Sequence, residues 1–504
     1  MAELKNKNLL EQIAAWNEEE EYQKIADALL AVPEEERTPE LVSELARAYN
    51  NLAGGENGDE SMYRKAIDLL QSVEEELKED HCWNYRMAYA YCFLDEPWEA
   101  LPYFEKALEA RPGDEDTEEM IDFCLSSLAL PRFEKPFSQR VREGWEAFLA
   151  GEEELRRGID EKRQGDEIIE QCNKLLKPAF SDISFELGYN GRKHELILSP
   201  EGDKAKLFQL VYFQKHAPKE VLEYWNILVG RQNSGSRSGS FDLQIFGQNI
   251  SAEDILVWVE QQGEDELELS LYSEKLLSFL REDENRAYWM MYIMLDSVIG
   301  EIAAMRYIGR VELLEKPSDG EYFSLEKLPE YLNQKFSGQD GDIMDAEKYC
   351  ERYTVYETEP SEEEDADVRM DIYVGGTNCP TLINQYWNNV ADTMNVYHKD
   401  GIAAGFLYYP LHGFTGEDRS GKILDFRDAV SEGILAGAGA DAVTFIGGAS
   451  GIYFGYIDFI AWDLKAVLDT AVEVLKEKDI EWAVFHSFRR DVNGIILKSE
   501  QNKN

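Results

Sequence analysis

Residues 81–114 read HCWNYRMAYAYCFLDEPWEALPYFEKALEARPGD, and the fold of the first third turns on how their apolar residues are spaced. Ala88 and Tyr91 stand three apart, on one face of a helix. Pro97 follows Asp95 and Glu96, which suits a helix start because the first turn does not need the donor that proline lacks. Ala100, Phe104 and Ala107 then recur at spacings of four and three, and Arg111-Pro112-Gly113-Asp114 closes the unit. Small side chains at Ala88 and Ala100 let two antiparallel helices approach closely, with Tyr91 and Phe104 filling the space between them. A helical hairpin with an alanine seam is the expectation.

Working outward, a looser copy lies upstream. Ala46 and Tyr49 fall in its first helix, and Ala66, Leu70 and Val73 in its second. An eight-residue surplus containing Gly54-Gly55-Glu56-Asn57-Gly58 belongs in the turn between them, where insertion costs little entropy. Trp16, Tyr22, Ile25, Ala26 and Leu29 make a first half-unit, and a helix over 117–130 closes the stack. The order small, aromatic, small, aromatic, small, proline at Ala88, Tyr91, Ala100, Phe104, Ala107 and Pro112 resembles the tetratricopeptide repeat family, over about a quarter of the chain. That resemblance implies stacked helix pairs forming a curved wall, with the first helix of each pair on the inner face. It implies a lining of Ser43, Arg47, Asn50 and Asn51 in one unit and of Tyr85, Tyr89, Cys92 and Phe93 in the next. Some members of the family clamp a peptide's terminal carboxylate with Lys, Asn and Arg. Here Arg47 and Asn50 fit that role, whereas Tyr85 and Tyr89 depart from it. Two expectations stand side by side: a groove for an extended peptide or helix, or a wall that packs against the chain's own downstream domains.

Composition limits the partners. The 504 residues suggest about three domains. Apolar residues make up 44% and charged residues 30%, which excludes wholesale disorder. Acidic residues number 100 against 51 basic, a net charge of −49, which opposes binding to nucleic acid or to an anionic membrane and favours a protein or peptide partner, a basic one above all. Six scattered cysteines without a CxxC pair fit reduced thiols better than a disulfide framework. The first residues, MAELKNKN, lead into no apolar signal core, and the longest apolar run, 287–295, is about half of a membrane span. The expectation is a cytoplasmic protein, bacterial in flavour.

The rest of the chain reads as mixed α/β (α+β). The expected division is a tetratricopeptide-like domain over 1–135, connector helices over 136–177, a first α/β domain over 178–356, an acidic linker over 357–367 and a second α/β domain over 368–504. The connector carries Trp145, Phe148, Leu149, Leu155, Ile159, Ile168, Ile169 and Cys172 as apolar positions. In the first α/β domain, Ile183, Phe185 and Leu187 alternate, as do His194, Leu196 and Leu198, about a turn with Gly188, Asn190 and Gly191. A helix over 207–213, a strand over 224–229, a polar loop over 232–240 and a strand over 241–246 follow. Ser251 caps an expected helix running to Gln261, followed by a strand over 267–272 and a long central helix over 285–308 with Trp289, Ile293, Ile299 and Ile302. The second domain reads as strand 370–374, helix 381–390, strand 402–411, helix 425–435, hairpin 442–446 with 453–460, helix 464–476 and strand 482–485. Phe185, Gly188 and Gly191 match Phe445, Gly448 and Gly451 in spacing, and the pairs Trp225 with Arg231 and Trp482 with Arg489 follow. This echo suggests a duplicated hairpin–helix–strand module.

Chemical motifs are sparse. The run Gly437-Ala438-Gly439-Ala440-Asp441-Ala442 follows a helix and opens a strand, the reverse of a dinucleotide-binding turn. Gly447-Gly448-Ala449-Ser450-Gly451 lacks the lysine of a phosphate loop and reads as a hairpin turn. His81, His194, His216, His398, His412 and His486 stand at no metal-ligand spacing, and Asp340-Gly341-Asp342 with Asp345 does not fit a calcium loop, so neither metal nor cofactor is expected. Cys379 precedes a helix whose dipole lowers a thiol pKa, and with His412 or His486, near Arg489, it is the constellation an enzyme would use. The structural alternative makes Cys379 a buried loop residue and pairs Asp458 with Arg489. The leading expectation is an adaptor, or an immunity-type regulator that masks a basic surface, with Arg47, Asn50, Tyr85, Tyr89 and Phe93 meeting the partner. An enzyme of unknown class, or a small-ligand sensor with the repeats as output, are the alternatives.

Overall fold

The computed structural model describes residues 2–54, 59–233, 242–245, 248–263, 266–336, 345–363 and 366–499. The glycines of the repeat insertion after Gly54, the polar loop from Ser234 on and Asp340-Gly341-Asp342 lie outside the described residues.

A helical region comes first: α1 (Ala2–Glu18), α2 (Tyr22–Leu30), α3 (Pro39–Ala53), α4 (Ser61–Gln71), the single turn α5 (Glu74–Leu77), α6 (His81–Phe93), α7 (Pro97–Ala110), α8 (Glu115–Ala129), α9 (Phe137–Asp160) and α10 (Gly165–Leu176). Asp80 caps α6 through the Trp83 N–H and Asp114 caps α8 through the Thr117 N–H, satisfying donors that the helices cannot. The helices pack in sequence as α3 on α4, α6 on α7 and α7 on α8. Ala88, Ala100, Phe104 and Ala107 are fully buried, so the expected alanine seam is closed. Trp83 locks the two pairs together by donating from Nε1 to the Leu70 carbonyl at 2.9 Å.

Sheets then dominate. β1 (Ser184–Tyr189) and β2 (His194–Ser199) form the expected hairpin, α11 (Lys204–Lys215) and α12 (Lys219–Tyr224) follow, and β3 (Trp225–Val229) returns parallel to β2. β4 (Asp242–Ile245) pairs with β5 (Gln248–Ser251). β6 (Leu256–Gln262) and β7 (Glu266–Tyr272), then α13 (Leu277–Glu282), α14 (Glu284–Ile299), α15 (Glu301–Tyr307), β8 (Ile308–Leu313), β9 (Phe323–Ser324) and α16 (Leu328–Phe336), build a four-stranded sheet in the order β8-β7-β6-β9 with helices. After α17 (Ala346–Glu351) come β10 (Thr354–Glu357), β11 (Ile372–Thr377), α18 (Pro380–Trp387), α19 (Asp392–Lys399), β12 (Ala403–Pro410), α20 (Arg419–Ala438), β13 (Val443–Gly451), β14 (Phe454–Ala461), α21 (Leu464–Lys476), β15 (Ala483–Ser487) and β16 (Ile495–Lys498). Their seven strands run antiparallel in the order β10-β11-β13-β14-β12-β15-β16.

Several local expectations are corrected. Ser251 caps only one 3-10 turn, Ala252–Asp254, and the expected helix to Gln261 is strand β6. Val257, Trp258 and Val259 are stiff or bulky side chains that fit a pleated surface, and pairing with β7 overrides the cap. The long helix over 285–308 breaks at Gly300, which takes φ +88°, and Trp289 faces solvent at 52% exposure. Residues 447–451 form the end of β13 rather than a turn. A side chain on Gly447 (φ +145°) would run into the Gly376 carbonyl of β11, so glycine there permits close strand approach. The two echoed modules share an order of elements but not a topology. β3 lies directly beside β2, whereas β12 intervenes between β14 and β15. Leu149 and Ile169 of the connector are exposed. The acidic run does not stand apart as a tether: Thr358 donates to the Tyr373 carbonyl and Ser361 to the Met370 carbonyl, and β10, which precedes it, already belongs to the seven-stranded sheet.

One core joins α9 and α10, the first sheet and one face of the seven-stranded sheet, through Phe137, Trp145, Leu196, Phe213, Tyr386, Phe406 and Trp462 among others. A second core, with Val257, Leu269, Met291 and Leu295, belongs to the four-stranded sheet and its helices. Among the described residues, no helix is long and apolar enough to cross a membrane.

Candidate functional site

A concave site lies on the helical region. A cavity of about 350 Å3 is lined by Arg47, Asn50 and Asn51 from α3 and by His81, Cys82, Tyr85, Arg86 and Tyr89 from α6. Every lining residue comes from these two helices, so the downstream sheets do not fill it. The helical spacing of four sets the rings in a row: His81 to Tyr85 at 6.1 Å, Tyr85 to Tyr89 at 6.4 Å and Tyr89 to Phe93 at 4.4 Å. Phe93 ends the row at 47% exposure. Tyr85 is braced edge-on by buried Phe104 at 5.4 Å, and burial pushes its hydroxyl up to about 12, so it stays a neutral hydrogen-bonding group.

Opposite the rings stands a polar wall. Asn50 donates from Nδ2 to the Arg86 carbonyl at 2.9 Å, while its Oδ1 is buried with no partner. Arg86 donates to Ser43 Oγ at 2.6 Å and to Glu44, and Arg47 lies 3.9 Å from the same Glu44. His81 Nε2 meets Asp114 at 3.3 Å, and its Nδ1 is buried without a partner. The Asp114 carboxyl is held down at about 2, first by the Thr117 hydroxyl and then by Arg111 and His81. Asn50 Oδ1 accepts hydrogen bonds only, so the groove offers a buried acceptor beside an aromatic ladder.

Of the lining drawn from the repeat resemblance, the structure brings Arg47, Asn50, Asn51, Tyr85 and Tyr89 together. Ser43 serves instead as a brace for Arg86. Cys92 turns away from the groove: its Sγ lies 3.9 Å from Cys124 Sγ in α8. His81 and Arg86 were not anticipated. The signal for His81 was present, since it precedes Tyr85 by the same four residues that separate Tyr85 from Tyr89.

The residues considered for thiol chemistry do not converge. Cys379 is fully buried just before α18, and burial pushes its thiol up to about 12, outweighing the backbone N–H groups of Leu382 and Thr381. His486 lies on β15, four strand spacings from β11, about 19 Å across the sheet. Its Nδ1 faces the Ser487 carbonyl at 2.7 Å and its ring stacks on Phe406 at 5.2 Å. His412 follows the C-terminal end of β12. The strand directions put that end opposite the end of β11 that leads to Cys379, and His412 pairs with Glu481 at 3.0 Å on the surface. Asp458 is paired with Arg369, at 2.7 and 3.2 Å, and not with Arg489. Arg489 donates instead to Asn395. Among the described residues, no group of three or more His, Cys, Asp and Glu side chains could hold a metal ion.

No family model matches the chain, and no curated protein or solved structure matches it either.

Proposed function

We propose that the chain is a protein-interaction protein of the cytoplasm, an adaptor or regulator, and that the groove between α3 and α6 holds an extended segment of a protein partner. The carrying observation is that Asn50, whose buried Oδ1 has no partner, lines a cavity together with the rings of Tyr85 and Tyr89, with exposed Phe93 continuing the row beyond it. An extended peptide offers one backbone N–H per residue to such an acceptor, and side chains for the rings. The helix pairs of this region also resemble tetratricopeptide units in their alanine seam, which supports a groove of this kind. The excess of 100 acidic over 51 basic residues favours a basic partner by long-range attraction, while the groove supplies short-range selection.

Panning a random peptide library against the full chain tests the reading. Enriched peptides should lose about 10-fold or more in affinity with Tyr89→Ala or Asn50→Ala, since aromatic anchors dominate such interfaces. Tyr189→Ala, a change at an exposed tyrosine on β1, should leave affinity unchanged. Peptides that bind equally well to all three variants, or a library that yields none, would overturn the groove assignment.

A further inference from the structure

A larger cavity lies elsewhere. A cleft of about 1,050 Å3 separates the α7–α8 end of the helical region from the body that carries the seven-stranded sheet. Lys399 spans its walls, reaching Glu99 at 3.0 Å and lying 6.0 Å from the centre of the Trp98 ring. His398, at the end of α19, meets the Trp98 ring at 6.1 Å and the Phe133 ring at 5.7 Å, both edge-on.

Two buried nitrogens in this lining have no hydrogen-bond partner: Nε1 of Trp98 and Nε2 of His398. The indole N–H can only donate, so it calls for an acceptor. His398 is 5% exposed, and burial, then Arg489, holds its imidazole well below the usual pKa. The ring is neutral and carries one proton, and an acceptor at Nε2 selects the tautomer with the proton there. Both groups are left costly to bury unless something pairs with them.

The start of α7 adds a third observation. This 14-residue helix begins at Pro97 in the cleft wall, and Glu96 gives it no side-chain cap. The Glu96 carboxylate is turned away to Arg64, at 2.6 and 3.2 Å. The first turn carries one acid, Glu99, which pairs with Lys399, and the N–H groups at this end have no side-chain cap. Arg132 is exposed in the same lining, while Arg140 lies 3.6 Å from Asp400 and Lys399 is paired with Glu99. Of the four acids in the lining, Glu96 is neutralised by Arg64, and Asp95, Glu134 and Asp182 are exposed, where water and salt screen their repulsion of an anion.

We propose that this cleft binds a small organic carboxylate with an aromatic or apolar body. The carboxylate takes hydrogen bonds from Trp98 Nε1 and His398 Nε2 near the start of α7, and the body lies against the Trp98 and Phe133 rings. The site is separate from the peptide groove and stands or falls without it. Because one wall is helical region and the other is sheet body, an occupant bridges the two.

Ligand-observed NMR on the full chain tests the proposal, with phenylacetate, indole-3-acetate and octanoate as probes and phenethylamine and phenylacetamide as controls. At least one carboxylate should bind at about 10 mM or below, and the amine should not. Trp98→Phe keeps the ring and removes the donor, and it should weaken binding about 5-fold or more. Tyr189→Ala, at an exposed position on β1 outside the lining, should leave it unchanged. Failure of all three carboxylates, equal binding of carboxylate and amine, or wild-type affinity in Trp98→Phe would overturn the proposal. Should His398→Phe fold, it should weaken binding in the same direction. Trp98→Phe decides the matter alone if it does not.

Discussion

Asp296 of α14 shows what one buried carboxyl does to this molecule. Burial, then the neighbouring Glu301, raises its pKa from 3.8 to about 7, against the pull of Arg231. Arg231 Nη1 lies 3.4 Å from Asp296 and donates from Nε to Glu186 at 2.8 Å, while Glu301 takes the Ser199 hydroxyl and the Arg231 N–H. The folded state holds the Asp296 proton to higher pH than the unfolded chain does. Stability contributed by that proton is full below about pH 4 and is lost as pH rises to about 7. Asp296→Asn should remove this loss, raising stability at pH 8 by roughly 2–4 kcal/mol and little at pH 4. Urea midpoints at the two pH values measure it, and a gain of equal size at both would exclude a titrating Asp296. At this scale the sequence was only half legible. Asp458 stood out as a charge within an apolar strand. Its partner Arg369 lies 89 residues away in sequence, and nothing local distinguishes it from Arg489. The register decides: β14 sets Asp458 opposite Phe406, and the Arg369 guanidinium sits 4.7 Å from that ring.

At the scale of elements, α7 carries a conflict between its propensity and its place. Pro102 lies inside the helix and is exposed. Its missing N–H leaves the Trp98 carbonyl without the usual partner one turn on. Pro102→Ala should therefore stabilise the chain by about 1–3 kcal/mol, seen as a higher thermal midpoint. A lower midpoint would mean that the proline ring supports packing across the α7 surface. Elements with one apolar stripe and a clear cap were readable: α21 runs over the expected residues, with Asp463 capping it through the Ala466 N–H. The groove was readable for the same reason, since Arg47 with Asn50 and Tyr85 with Tyr89 follow helical spacing and need no distant partner. Strand β6 was not, because the Ser251 capping box is a true local signal that a distant strand overrides. The large cleft was illegible for a stronger reason. Its lining runs from Leu94 to Ile495, and no window of sequence holds Trp98 and His398 together.

For the whole molecule, the distribution of cores sets which parts stand together. Phe137 and Trp145 of α9, Leu196 of β2 and Ile460 of β14 share one core, although 323 residues separate the first from the last. Backbone bonds reinforce the union: Phe137 donates to the Gly401 carbonyl and Ser138 to the Trp462 carbonyl. Leu269 of β7 belongs to a second core, whose members run from Ile250 to Phe336 and thus lie between the first sheet and β10 in sequence. A truncation in either core costs about 2–5 kcal/mol, but the loss should spread differently. Ile460→Ala should speed amide hydrogen exchange together in α9, β2 and β14. Leu269→Ala should speed it in β6, β7 and α14 and leave α9 and β14 protected. If Ile460→Ala loosened only the seven-stranded sheet, the shared core would be contact without cooperativity. If Leu269→Ala loosened every sheet alike, the two cores would act as one. The cluster of Ser199, Arg231, Asp296 and Glu301 is where coupling between them would enter, because it ties the end of β2 to α14 and α15. Asp296→Asn combined with Leu269→Ala should therefore spread the exchange effect less far than Leu269→Ala does at a pH where Asp296 is charged, since the amide keeps a polar contact to Arg231 without the repulsion from Glu301.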